Sequence, residues 1–160
     1  MTVMKTLIFL KPFDIKNPTL DEQNAFMMRE IVTEVECRDL GKIYNNDVLH
    51  GKNLAEFISK EVAKERPDWI VAEGQCATVA VGLKHQKKVL LNPKVSFENL
   101  NNIPEHTRQN TFGFFDAWHE HDYERFQSVY PHAAWFPQDD NLSLFTIKEA
   151  VESIIETGEW

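Results

Sequence analysis

The stretch from Trp69 to Pro93 limits this chain to few folds. It opens with Trp69-Ile70-Val71-Ala72, an apolar run of strand length. Glu73-Gly74-Gln75 follows as a turn. A run of small residues from about Cys76 to Leu83 has the character of a closely packed helix. Val89-Leu90-Leu91 is a second apolar run, stopped by Asn92-Pro93. Strand, sharp turn, helix and strand make a βαβ unit, whose strands should be parallel and buried.

The turn also carries chemistry. Gly74-Gln75-Cys76-Ala77-Thr78 fits small-x-nucleophile-x-small, a spacing that puts a nucleophile on a tight strand-to-helix turn above the sheet. Gly74 lacks the Cβ that would clash there. Cys76 would stand at a helix N-terminus, where unpaired N–H groups and the helix dipole favour a thiolate. The N–H of Ala77 would be half of an oxyanion hole. The competing reading is a small buried cysteine that starts a helix.

The rest of the chain alternates in the same way. Lys5 to Leu10 reads as the first, central strand. The loop from Lys11 to Pro18 would lie at the C-terminal strand ends, where ligands bind in open α/β sheets. Thr19-Leu20-Asp21-Glu22 is a capping box. It opens a helix expected to reach about Cys37, with Phe26, Met27, Ile31 and Val35 on one face. Between Arg38 and Gly51 a short strand is expected near Val48-Leu49. The next helix, from Asn53, uses Leu54, Phe57, Ile58 and Val62 as its core stripe and ends at Arg66-Pro67-Asp68. Residues 94–118 read as a polar loop packed down by Phe112, Phe114, Phe115 and Trp118. A helix from about His119 to Val129 is buried through Tyr123, Phe126 and Val129. Ala133 to Phe136 reads as the last strand, and Thr146 to Thr157 as a helix with Gly158 as its end cap. This pattern predicts an α/β fold, a doubly wound, mostly parallel sheet with helices on both faces, as a single domain over residues 1–160.

Composition narrows the partners. A net charge of −8 argues against nucleic acid and anionic membranes, both of which need a basic surface. Cys37 and Cys76 lie far apart, without metal-ligand spacing, which fits a reducing, cytoplasmic setting. The apolar run Leu7 to Leu10 is too short for a signal core or a membrane span. His119-x-His121 resembles the start of a dinuclear metal pattern, but Tyr123 and Glu124 stand where it needs Asp and His. On a helix those two histidines do not share a face, so no metal is expected. No cofactor is expected either: Gly74 is isolated, with no G-x-G-x-x-G nearby, which leaves a flavodoxin-like ligand binder without a phosphate-cradling loop.

The blocks Gly74-Gln75-Cys76-Ala77 and Leu90-Leu91-Asn92-Pro93 together resemble the α/β-hydrolase superfamily, most of all its small single-domain bacterial esterases, the YqiA-like group. Those read strand, G-x-S-x-G-G, helix, strand, Leu-x-Asn-Pro. Thr6 to Phe13 is similar to the family's first strand and His-Gly-Phe oxyanion loop. Cys76 replaces the serine, as in dienelactone-hydrolase-like members, and Lys11-Pro12 replaces His-Gly. The resemblance implies an esterase or thioesterase acting on a small acyl ester. Cys76 would be its nucleophile, and Ala77 and Phe13 its oxyanion donors. Gln75 and Lys11 would line the site. The histidine-orienting acid is expected after the last strand, at Asp140 or else Asp139, although either suits a helix N-cap equally well.

The family's order then calls for a histidine after the acid, and none follows Asp140 in this sequence. Three expectations compete. The chain is a truncated product; or it is a degenerate, non-catalytic hydrolase-like binding domain; or His50, His119 or His132 completes the site from elsewhere. A lost terminal strand would expose a sheet edge that a second copy could cover as a homo-oligomer.

Overall fold

A computed structural model of the chain describes residues 5–9, 34–36, 51–84, 87–95, 103–140, 142 and 146–160. Among the described residues six strands form one sheet: β1 Lys5–Phe9, β2 Glu34–Glu36, β3 Trp69–Glu73, β4 Lys87–Leu91, β5 Thr111–Phe115 and β6 His132–Trp135. Their order is β2-β1-β3-β4-β5-β6, and every pairing is parallel. The helices are α1 Gly51–Glu65, α2 Gln75–Val81, α3 Glu105–Gln109, α4 Glu120–Gln127 and α5 Lys148–Thr157. The chain winds outward one way from β1 to β2 and the other way from β3, so this is a doubly wound α/β fold. Its direction reverses between β1 and β3, and ligand crevices in such sheets lie at C-terminal strand ends beside that reversal.

The alternation of side chains along the strands builds two apolar layers. Ile70, Ala72, Leu90 and Phe115 join Leu54, Ile58 and Val62 of α1, Cys76, Ala77, Ala80 and Val81 of α2, and Phe126 of α4. Trp69, Val71, Val89, Leu91, Phe112 and Phe114 face the other way, onto Ile147 and onto Val151, Ile154 and Ile155 of α5. Strands covered on both faces read as continuous apolar runs rather than alternating ones. That is why β3 and β4 are legible by eye. Helix α5 ends at Gly158 with φ 78, whose N–H donates to the Ile154 carbonyl at 2.7 Å, the left-handed cap that glycine favours.

Two expectations need correction. Residues 34–36 are strand β2, paired with β1, and do not end a helix. The sequence Val32-Thr33-Glu34-Val35 is dense in β-branched residues, which lose rotamer freedom in a helix and fit a pleated surface. The strand expected near Val48-Leu49 lies outside the described residues. Residues 94–118 are not simply a loop: they contain α3 and the buried strand β5. The aromatics that suggested a packed loop belong to that strand. Gly113 is what lets it sit there. A Cβ at this position would come within 2.6 Å of the Phe126 ring, itself fully buried.

Lys88 is an exception in this core. It is 0% exposed on β4, and its Nζ donates to the carbonyl of Val81 at 3.3 Å and to that of Leu83. The ammonium thus closes the C-terminal end of α2, where carbonyls lack helical donors. Burial pushes its amine down from the usual 10.5 to about 7.

Two outcomes follow. Gly113→Ala should destabilise the fold by about 1–3 kcal/mol in chemical denaturation, because the Phe126 ring has nowhere to retreat. For Lys88, the unfolded chain binds the proton more tightly than the folded one between about 7 and 10.5. Its contribution to stability therefore rises with pH across that window and falls as pH drops toward 7. Lys88→Met abolishes this linkage. The difference in urea midpoint between variant and wild type should shift in favour of wild type as pH is raised, and parallel profiles would contradict it.

Candidate functional site

The ends of β3, β4 and β5 converge on one cleft. The turn after β3 is made by Gly74, with φ 62 and ψ −129. That backbone conformation is close to one reserved for glycine. Its N–H donates to the Leu91 carbonyl at 3.0 Å, tying the turn to β4. Asn92, just past β4, has φ 56, a left-handed conformation that asparagine tolerates better than most residues. Its own N–H reaches the Phe114 carbonyl at 2.7 Å.

Asn92 and Asp116 clamp the strand ends together. The Asp116 N–H donates to Asn92 Oδ1 at 3.0 Å, and Asn92 Nδ2 donates to Asp116 Oδ2 at 3.1 Å. Asp116 is only 5% exposed. Its other oxygen, Oδ1, accepts from the Trp118 N–H at 3.0 Å and lies 2.6 Å from His119 Nδ1. A carboxylate accepts and cannot donate, so Nδ1 carries the proton and Nε2 is the basic nitrogen. The loop is tethered from β6 as well. Trp135 Nε1 donates to the Asp116 carbonyl at 3.0 Å, and the Ala117 N–H donates to the Asp139 carbonyl at 2.8 Å.

His119 opens onto a cleft of about 490 Å³, lined also by Leu54, Gly74, Gln75, Thr78, Val79, Asn92 and Lys94. This volume is within the range of small-molecule sites. Thr78 Oγ1 accepts from the Lys94 N–H at 3.0 Å, which joins two of the lining residues.

The residues singled out from the sequence fall unevenly around this cleft. Gln75 is exposed and lines it. Cys76 does not stand above the sheet: it is the second residue of α2 and 0% exposed, in the apolar layer with Ala77 and Ala80. The reason is register. The strained turn falls on Gly74, two residues earlier, so Cys76 and Ala77 fall on the stripe of α2 that packs against the sheet. Ala77 lies in the first turn of α2, ahead of the Thr78 N–H to Gly74 carbonyl bond at 3.1 Å. Asp139 and Asp140 are exposed past β6 and do not line the cleft. Lys11, Phe13 and His50 lie outside the described residues. His121 is exposed on α4 and His132 stacks on Phe112 at 4.5 Å, away from the cleft.

His119 is among the three histidines considered from the sequence, whereas Asp116, which contacts it, is not. The available signal was Asp-x-x-His directly after an apolar run, with Asn92-Pro93 closing the preceding strand. Compared with known protein families, curated proteins and solved structures, the chain matches none. No helix among the described residues is long and apolar enough to cross a membrane.

The clamp makes a prediction. Asn92→Gly and Asn92→Ala should both lose about 1–3 kcal/mol of stability, since each removes the amide donor to a buried carboxylate and the acceptor of the Asp116 N–H. The alanine variant should lose about 1 kcal/mol more, from its Cβ in a left-handed backbone. Urea unfolding of the two variants side by side measures that difference.

Proposed function

We propose that this chain is a hydrolase-like α/β domain that binds a small acyl compound in the cleft above β3–β5 and forms no covalent bond through Cys76. The observation that carries this reading is the register of the turn. Its strained residue is Gly74, which has no side chain, while the thiol two residues on is enclosed in the core. A nucleophile must reach its substrate, and a fully buried thiol in apolar surroundings is inert. The cleft supplies what a small acyl ligand needs. Leu54 and Val79 offer apolar wall, and Gln75, Asn92 and His119 offer hydrogen-bonding groups. A hydrolase-like domain that binds its acyl ligand without a thiol nucleophile therefore accounts for the geometry better than a cysteine esterase. The acidic net charge and the buried thiol agree with a reducing, cytoplasmic setting.

Two measurements test this. Intact mass after incubation with p-nitrophenyl acetate should show no acetyl adduct that depends on Cys76, with Cys76→Ala as the comparison. A stoichiometric adduct lost in that variant would restore the thiol as nucleophile. Amide NMR shifts on titration with p-nitroacetanilide, an amide that resists hydrolysis, should concentrate on Gly74, Gln75, Thr78 and Asn92. Shifts elsewhere, or none, would remove the cleft as the binding site.

A further inference from the structure

We infer that Asp116 and His119 are a general-base pair that activates water against a small ester held in the cleft, an activity in which the chain itself is never acylated. The inference rests on the cleft being the ligand site. The geometry supplies each element such a pair requires. Asp116 is buried, so its charge is poorly screened. Three donors fix its orientation: Asn92 Nδ2, the Trp118 N–H and His119 Nδ1. That sets the tautomer of His119 and leaves the lone pair on Nε2. The His119 side chain keeps 32% of its surface exposed and lines the cleft, so its free nitrogen is open to a bound molecule and to water. Lys94 is the other charged residue that lines the cleft, and Glu120 and Asp122 follow His119 in the first turn of α4.

The step balances without any further reagent. Water oxygen attacks the ester carbonyl carbon as Nε2 takes one of its protons, giving a tetrahedral oxyanion and an imidazolium whose Nδ1–H stays with Asp116. Collapse of the oxyanion breaks the bond to the alcohol oxygen, and that oxygen takes the proton back from Nε2. Ester and water become acid and alcohol, and the histidine is returned neutral. His119 is the catalytic residue in this scheme and Asp116 positions it. Base catalysis of this kind is worth about 10²–10⁴-fold.

The test is steady-state hydrolysis of p-nitrophenyl acetate by the full chain. Wild type should turn over above buffer and above free imidazole at equal concentration. His119→Ala should lose about 10²-fold or more, and added imidazole should restore part of the rate, which a merely structural histidine would not permit. Asp116→Asn should lower kcat with little change in KM. His106→Gln, exposed on α3 and away from the cleft, should match wild type. The urea midpoint of each variant verifies folding. Absence of wild-type turnover overturns the inference, as does a folded His119→Ala that hydrolyses at the wild-type rate or is not rescued by imidazole. If p-nitroacetanilide still perturbs the cleft in either case, the binding reading stands and only the base pair falls. A Cys76-dependent acetyl adduct removes both.

Discussion

The reciprocal pair between Asn92 and Asp116 is the constraint on which the site depends. Parallel strands end in a row of backbone groups whose partners must come from loops. Past β4 the Asn92 N–H finds the Phe114 carbonyl, and past β5 the Asp116 N–H finds the Asn92 side chain. Asn92 accepts from the Asp116 backbone and donates to its carboxylate. A carboxylate buried at 5% exposure is costly without donors, and here the amide, a backbone N–H and an imidazole share the task. Removing any of them leaves the buried carboxylate with fewer donors. The clamp therefore holds the strand ends in register and orients His119 with the same hydrogen bonds.

Much of the fold was legible because buried parallel strands announce themselves as apolar runs. β3, α2 and β4 could be read directly, as could the stripes of α1 and α5. β5 was not, for a specific reason. Thr111-Phe112-Gly113-Phe114-Phe115 is short, aromatic and interrupted by glycine, features of a loop as much as of a strand. The glycine is resolved by a long-range contact, the Phe126 ring of α4, which no local pattern contains. β2 was hidden differently: a capping box upstream outweighed three residues of strand character.

The site was less legible than the fold, and Cys76 shows why. Small-x-Cys-x-small describes spacing, but accessibility depends on which residue takes the strained backbone at the turn. With the strain at Gly74, every later residue shifts by two positions around the helix, about 200° in an ideal α-helix. The thiol then faces the sheet instead of the cleft. Asp139 and Asp140, the acids that the resemblance implies, are exposed past β6 and do not line the cleft. The acid that contacts a histidine instead follows directly on β5, and the sequence pattern that conceals the strand conceals the acid with it.

The loop 116–119 is held from both flanking strands. β4 reaches it through Asn92, and β6 through the Trp135 indole and the Asp139 carbonyl. Trp118, 76% exposed, contributes its backbone N–H to that arrangement. Such tethering matters because a base acts only from a position fixed to within a fraction of an ångström, and supporting hydrogen bonds are what fix it. The same tethering explains how a histidine three residues from its acid can be held so closely. A 3₁₀ turn over Ala117–His119 curls the chain back on Asp116, which caps it. Among the described residues, the hydrogen bonds that hold the pair come from the β4–β5–β6 edge of the sheet.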